Sequence, residues 1–151
     1  LMFTPSGPKL VEYNVRFGNP ETQVLLPRLR TDLGVVIAGA ADGAELGPVE
    51  SGDDAWVTVV LGTEGYPVSP YRTGDPILGL ERAAAVDSVT LFHAGTRRAE
   101  DGQIVTAGGR VLDVTATGAT IAEARSRAYE ASSLIEWPGM QYRHDIAAGA
   151  T

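Results

Sequence analysis

The chain contains no cysteine. That excludes disulfides and thiolate-bound metals, and it leaves the redox compartment unread. Histidine is almost as scarce: His93 and His144 are the only two, which argues against a zinc centre built from several imidazoles. Positive charge is in deficit, with 12 Lys and Arg against 19 Asp and Glu, for a net charge of −7. Nucleic acids and acidic membranes need a basic face, so neither is expected as a partner; a small phosphorylated ligand needs only a local site. No run approaches the roughly 20 apolar residues of a membrane-spanning helix. The start of the chain lacks a basic stretch followed by an apolar one, so no leader peptide is expected and the expected location is the cytoplasm. What is present suits a folded protein. Apolar residues make up 44%, enough for a core, and the 21% of charged residues form no block of one sign. A length of 151 residues fits one medium domain, or one small domain with part of another.

The opening Leu1–Lys9 reads as the end of a strand, a turn at Pro5, Ser6 and Gly7, and the next strand, so a fragment of a longer protein is expected. In "KLVEYNVRFGNPETQ", residues 9–23, alternation predicts a strand over 9–17, with Val11, Tyr13, Val15 and Phe17 on one face. Asn19 can cap a following helix, with Pro20 at its first position and Glu21 near its positive end. Val24, Leu25, Leu26 and Leu29 give it an apolar side, and Pro27 kinks or ends its first piece. A second helix is predicted after Thr31 as cap, with Leu33, Val36, Ile37 and Ala40 on one face. The acid-, Gly- and Pro-rich stretch 42–54 is the expected boundary between two units.

Beyond it, "AWVTVVLG" and "DSVTLFHAGT" read as strands. "QIVTAGGRVLDVTATG" reads as a hairpin turned by Gly108 and Gly109. Thr120 and Glu123 form a capping box opening a long helix lined by Ile121, Ala124, Ala128, Ala131 and Ile135. The second unit is therefore expected to be a small antiparallel sheet or partial barrel with one long helix. The whole chain is expected to be α+β.

The other face of the 9–17 strand carries Glu12, Asn14 and Arg16. Side chains two residues apart on a strand share a face, about 7 Å apart at the backbone. A carboxylate and an amide oxygen so placed can converge on a hard cation such as Mg²⁺. The planar fork of Arg16 can meet a phosphate or carboxylate one step further on. Cation, phosphate and acceptor in line suit phosphoryl transfer, where positioning and charge neutralisation carry most of the catalysis. On spacing alone, the same residues also suit a strand face pointing into water.

"VEYNVRFGNPETQ" resembles the signature of the phosphoribosylamine–glycine ligase family. That pattern runs Glu, aromatic, Asn, Val, Arg, Phe, Gly, Asp, Pro, Glu, then a polar pair. Further matches follow in order: "VVLGTEGYPVSPYRTGDPILGL", "VTLFHAGT", "VTAGGRVLDVTATGATIAEA" and "YRHDI". The resemblance implies the last third of an ATP-grasp enzyme. Residues 1–48 would be the end of the ATP-grasp core, a strand plus helices. Residues 49–151 would be the barrel-like C-terminal domain, similar to that of biotin carboxylases. It implies a reaction in which ATP phosphorylates glycine and 5-phosphoribosylamine displaces the phosphate, in purine synthesis. Glu12 and Asn14 would hold Mg²⁺ or Mn²⁺. Arg16 would be catalytic, and Arg16, Gly18, Asn19, Pro20 and Glu21 would face the substrates. The partner implied is the absent N-terminal part of the same enzyme, without which this piece is expected to be inactive. Asn19 departs from the family's Asp; Asn caps helices equally well, so only ligand contact is put in doubt.

Two rival readings are another ATP-grasp ligase, biotin-carboxylase-like or a sister purine enzyme, and a non-catalytic binding module. His93 is either a general base or a hydrogen-bonded histidine at a strand end. Gly65, Tyr66 and Pro67 suit a substrate loop or an ordinary tight turn. Arg143 and Asp145 are expected to pair, and Trp56, Trp137 and Tyr129 to lie in the core or at a domain contact.

Overall fold

A computed structural model describes residues 1–150. The chain is α+β. The first hairpin pairs β1 (Met2–Thr4) with β2 (Gly7–Lys9). Two short helices follow, α1 (Thr22–Leu25) and α2 (Leu33–Ala41). The main sheet has the order β3 (Ala55–Gly62), β7 (Arg110–Gly118), β4 (Val89–His93), all antiparallel. The five-residue helix α3 (Leu80–Ala84) precedes β4, and a second ladder joins β5 (Thr96–Arg98) to β6 (Ile104–Thr106). Helix α4 (Ile121–Ser133) follows β7.

The register Val57↔Ala116, Val59↔Val114 and Leu61↔Leu112 puts these six side chains on one face of the main sheet. All six are buried, and α4 covers them with Ala124, Ala128 and Ala131. Small residues at helical spacing let the helix axis approach the sheet closely, which is why this stripe is alanine. Ile135 and Trp137, just past the helix, close the end of the core. Thr120 caps α4 by accepting from Glu123 N at 3.2 Å, while the Glu123 carboxylate accepts from Ala119 N at 2.8 Å. The capping box therefore holds, with its return bond one residue earlier than the motif implies.

The tail returns across α4. Tyr129 OH donates to Arg143 O at 2.7 Å and accepts from Ile146 N at 3.0 Å. The Arg125 guanidinium lies 4.6 Å over the Tyr129 ring and donates to Ile146 O and His144 O. Tyr129→Phe removes two hydrogen bonds and leaves a half-buried N–H without a partner. It is expected to cost about 1–2 kcal/mol in urea unfolding; an unchanged midpoint would show that the tail is not fastened by this hydroxyl. The expected Arg143–Asp145 pair is present as a two-bonded fork at 2.8 and 2.6 Å. The Arg143 hydrogen bond holds the exposed Asp145 carboxyl below its ordinary range.

Four sequence expectations fail. Residues 10–17 form no strand: β2 ends at Lys9, and no described residue pairs with the segment beyond. A strand exists through its ladder, and alternation supplies a face but not a neighbour. The first helix is four residues long, with Glu21 rather than Asn19 as its N-cap, and it stops before Pro27, which has no N–H to continue the pattern. Gly108 and Gly109 turn no hairpin. Residue 95 slots between the two strands they separate, with Ala107 N donating to Gly95 O at 2.7 Å and Gly95 N to Arg110 O at 2.8 Å. The strands then pair elsewhere, β6 with β5 and β7 with β3 and β4. The second helix is capped one residue later than expected, by Asp32, whose Oδ1 accepts from Gly34 N and Val35 N. Thr31 Oγ1 instead accepts from Glu50 N, across the 42–54 stretch.

Candidate functional site

Glu12, Asn14 and Arg16 are all solvent-exposed on the extended segment between β2 and α1. Asn14 Oδ1 receives a long bond of 3.4 Å from Arg16 N, and the Arg16 guanidinium reaches only its neighbour's carbonyl, Phe17 O, at 3.5 Å. The three polar ends are therefore open and almost uncommitted. Val11, Tyr13, Val15 and Phe17 are exposed too, Val15 at 91%, so the segment's apolar side is as bare as its polar side.

Gly18 to Glu21 are tied down more firmly. The Gly18 carbonyl accepts from both the amide and the hydroxyl of Thr22. The Glu21 carboxylate folds back over Gly18, where any β-carbon would strike it. Arg110 Nη1, at the start of β7, donates to Asn19 O at 2.9 Å. Gln23 Nε2 donates to Asp113 Oδ2, mid-strand in β7, at 2.7 Å. One strand of the main sheet thus grips the loop and α1 at two points, each across some ninety residues of sequence. The Asn19 side chain has no hydrogen bond among the described residues, so its departure from the family's Asp leaves this anchoring untouched.

Two clefts are near the anchoring residues, one lined by Arg110 and the other by Pro20 and Glu21 of the loop itself. One, of about 350 Å³, is lined by Val60, Tyr66, Arg110, Gln141, Tyr142 and Arg143, among others. The other, of about 270 Å³, has Pro20, Glu21 and Val24 facing Trp56, Thr58 and Ile146. Gly109 is where Tyr66 packs: a β-carbon there would lie 2.2 Å from the ring. Tyr66 therefore sits in the wall of the first cleft rather than serving only as a turn residue. His93 is exposed and its Nδ1 is 3.0 Å from Thr96 Oγ1, a strand-end arrangement in which no carboxylate pairs with it among the described residues.

A divalent cation fits the donor set in kind. Glu12 offers a carboxylate and Asn14 an amide oxygen, and Mg²⁺ commonly takes one or two protein oxygens and completes its shell with water and phosphate. No group of three potential ligands among His, Asp and Glu converges among the described residues, this segment included.

Arg110, Gln23 and Asp113 carry the anchoring and were not singled out by sequence patterning. One signal was there: "RVLDVTATG" places an acid in the middle of a strand buried on both faces. Charges are almost never so placed without a partner.

The sequence is 51% identical over 97% of its length to the phosphoribosylamine–glycine ligase of Brucella melitensis, and 52% identical over 99% to that of Streptomyces coelicolor. It covers 34% and 36% of those proteins, so the chain spans about a third of the length of the curated relatives it matches. The crystal structure of phosphoribosylamine–glycine ligase from Thermotoga maritima superposes with a TM-score of 0.75 at 36% identity, over 97% of this chain and 35% of that one. With residues 56–149 matching the family model for the phosphoribosylglycinamide synthetase C domain, the chain belongs to that family.

Proposed function

We propose that this chain is the C-terminal part of an ATP-dependent ligase that joins glycine to 5-phosphoribosylamine. The observation that carries the reading is identity above one half, along nearly the whole chain, to proteins of that name. In this reading residues 1–48 end the ATP-grasp core and residues 49–151 form the barrel-like C-terminal domain. The bare apolar side of residues 11–17 and the apolar α2, which buries no residue here, are then covered by the preceding two thirds of the enzyme.

The chemistry follows from the poor electrophilicity of a carboxylate. ATP transfers its terminal phosphoryl group to a glycine carboxylate oxygen, and ADP leaves. The amine of phosphoribosylamine attacks the acyl carbon, phosphate departs with that oxygen, and the amine loses a proton as the amide forms. Glu12 and Asn14 would hold Mg²⁺ or Mn²⁺, which supplies charge neutralisation on the transferring phosphate. Arg16 offers its guanidinium to the same developing charge. Gly18, Asn19, Pro20 and Glu21 present the substrates' side of the loop, held in place by β7. Small soluble substrates and the absence of any helix long and apolar enough to cross a membrane, among the described residues, suit a cytoplasmic enzyme.

The test is a product assay with ATP, glycine and phosphoribosylamine. The full-length protein is expected to form glycinamide ribonucleotide and ADP, and the isolated 151-residue chain to give only background. Turnover by the isolated chain, or none by the full-length protein, would refute the assignment.

A further inference from the structure

Asp113 has no exposed surface, and among the described residues no cation lies within ion-pair distance of it. Its Oδ2 accepts from Gln23 Nε2. Among the described residues its Oδ1 is buried with no partner, and so is Gln23 Oε1. The two orphaned atoms thus belong to two groups already joined by one bond, and both are acceptors as long as Asp113 is ionised. Proton placement is inferred from the network, and a proton on Oδ1 would make it a donor of the kind Gln23 Oε1 lacks.

We propose that Asp113 is a neutral carboxylic acid in the folded chain, its Oδ1–H donating to Gln23 Oε1 while Gln23 Nε2 donates to Asp113 Oδ2. This reciprocal clasp fastens α1 and the Gly18–Glu21 loop to the main sheet and weakens as the acid ionises. The surroundings agree. Val60 of β3 and Phe92 of β4 lie opposite Asp113 in the sheet, and Gln23 comes from α1; none of them ionises. Among the described residues Arg110, on the same strand, is the charge that bears on the group, and its Nη1 is engaged by Asn19 O. Glu21, beside α1, folds over Gly18, and His93, beside Phe92, is exposed and bonded to Thr96. Burial pushes the carboxyl above its ordinary range, and the Gln23 bond and the Arg110 charge offset that only in part. The clasp does not depend on the ligase reading, since it is internal to this chain.

The test uses the full-length protein. Infrared spectra taken just above the range where exposed aspartates ionise are expected to contain a protonated-carboxyl stretch in wild type, fading as pH rises and missing in Asp113→Asn. No such band, or its survival in Asp113→Asn, overturns the proposal. Asparagine offers an N–H where the acid offers O–H, so Asp113→Asn keeps both bonds at every pH. For an acid whose folded pKa is raised, stability is full below the unfolded value and is lost as pH rises through the folded one. Asp113→Asn is therefore expected to melt with wild type at acid pH and progressively above it as pH rises. A constant difference, or one moving in favour of wild type with pH, sinks the idea. If Asp113→Asn fails to fold, Gln23→Met decides: removing the amide must shift the wild-type carboxyl band, and an unshifted band overturns the clasp.

Discussion

Gly95→Ala is expected to destabilise the chain by about 3 kcal/mol, at the upper end of what overpacking costs. A β-carbon at Gly95 would lie 2.6 Å from Arg110 O, 2.8 Å from Gly108 Cα and 2.9 Å from Gly108 N. All three are backbone atoms, so no side-chain rotation makes room. Separating the two segments would also stretch the Gly95 N to Arg110 O and Ala107 N to Gly95 O bonds that bind them. Glycine is needed at 95 for space, because its φ is not in the left-handed region. Gly47→Ala is the control: nothing lies within 4 Å of its β-carbon and its φ is unremarkable, so it should change stability by less than about 1 kcal/mol. Urea unfolding followed by the fluorescence of Trp56 and Trp137 measures both. Equal midpoints for the two variants would show that the 95–108 contact is loose. Because Arg110 follows directly from this contact and holds Asn19, loss of packing here should also loosen the loop that β7 grips.

What could be read from the sequence divides along the range of the interactions involved. Strand β3 was expected as "AWVTVVLG" and is found over Ala55–Gly62, since a run of β-branched residues facing a core declares itself locally. The Thr120 cap and the 124, 128, 131 stripe of α4 were legible for the same reason. The conformation of residues 10–17 was not, because Val11 to Phe17 has the alternation of a strand and no neighbour to pair with among the described residues. The Gly108–Gly109 turn misled in a related way. Two adjacent glycines fit a hairpin, but here one of them makes room for Gly95 and the other for Tyr66, contacts 13 and 43 residues away. Alternation put the polar triad Glu12, Asn14 and Arg16 on one face, and the resemblance implied its roles. It was silent on Arg110 and Asp113, whose roles come from a loop ninety residues earlier in the chain.

In the full-length protein, Glu12→Ala is expected to lower kcat/KM roughly a hundredfold or more at fixed Mg²⁺, the size of effect seen when one preorganised electrostatic contact to a transferring group is lost. Stability should be nearly unchanged, because Glu12 is exposed and makes no hydrogen bond or ion pair among the described residues. That separation is what makes the variant informative. A residue with no folded-state partners has no structural reason to affect turnover, so a large kinetic loss with an unmoved melting temperature assigns it to ligand contact. Removing the carboxylate leaves Asn14 as the single oxygen donor on the segment, and the shortfall should show as weaker Mg²⁺ binding in the presence of nucleotide. Raising the Mg²⁺ or Mn²⁺ concentration should then recover part of the lost rate. Glu12→Gln keeps one oxygen donor but not the charge, and it should fall between wild type and alanine. Arg16→Ala, in contrast, should lose rate without changing the metal requirement, since its guanidinium repels a cation and can act only on the anion beside it. Equal Mg²⁺ affinity and equal turnover for wild type and Glu12→Ala would leave the segment as solvent-facing polar chain and the protein as a binding module.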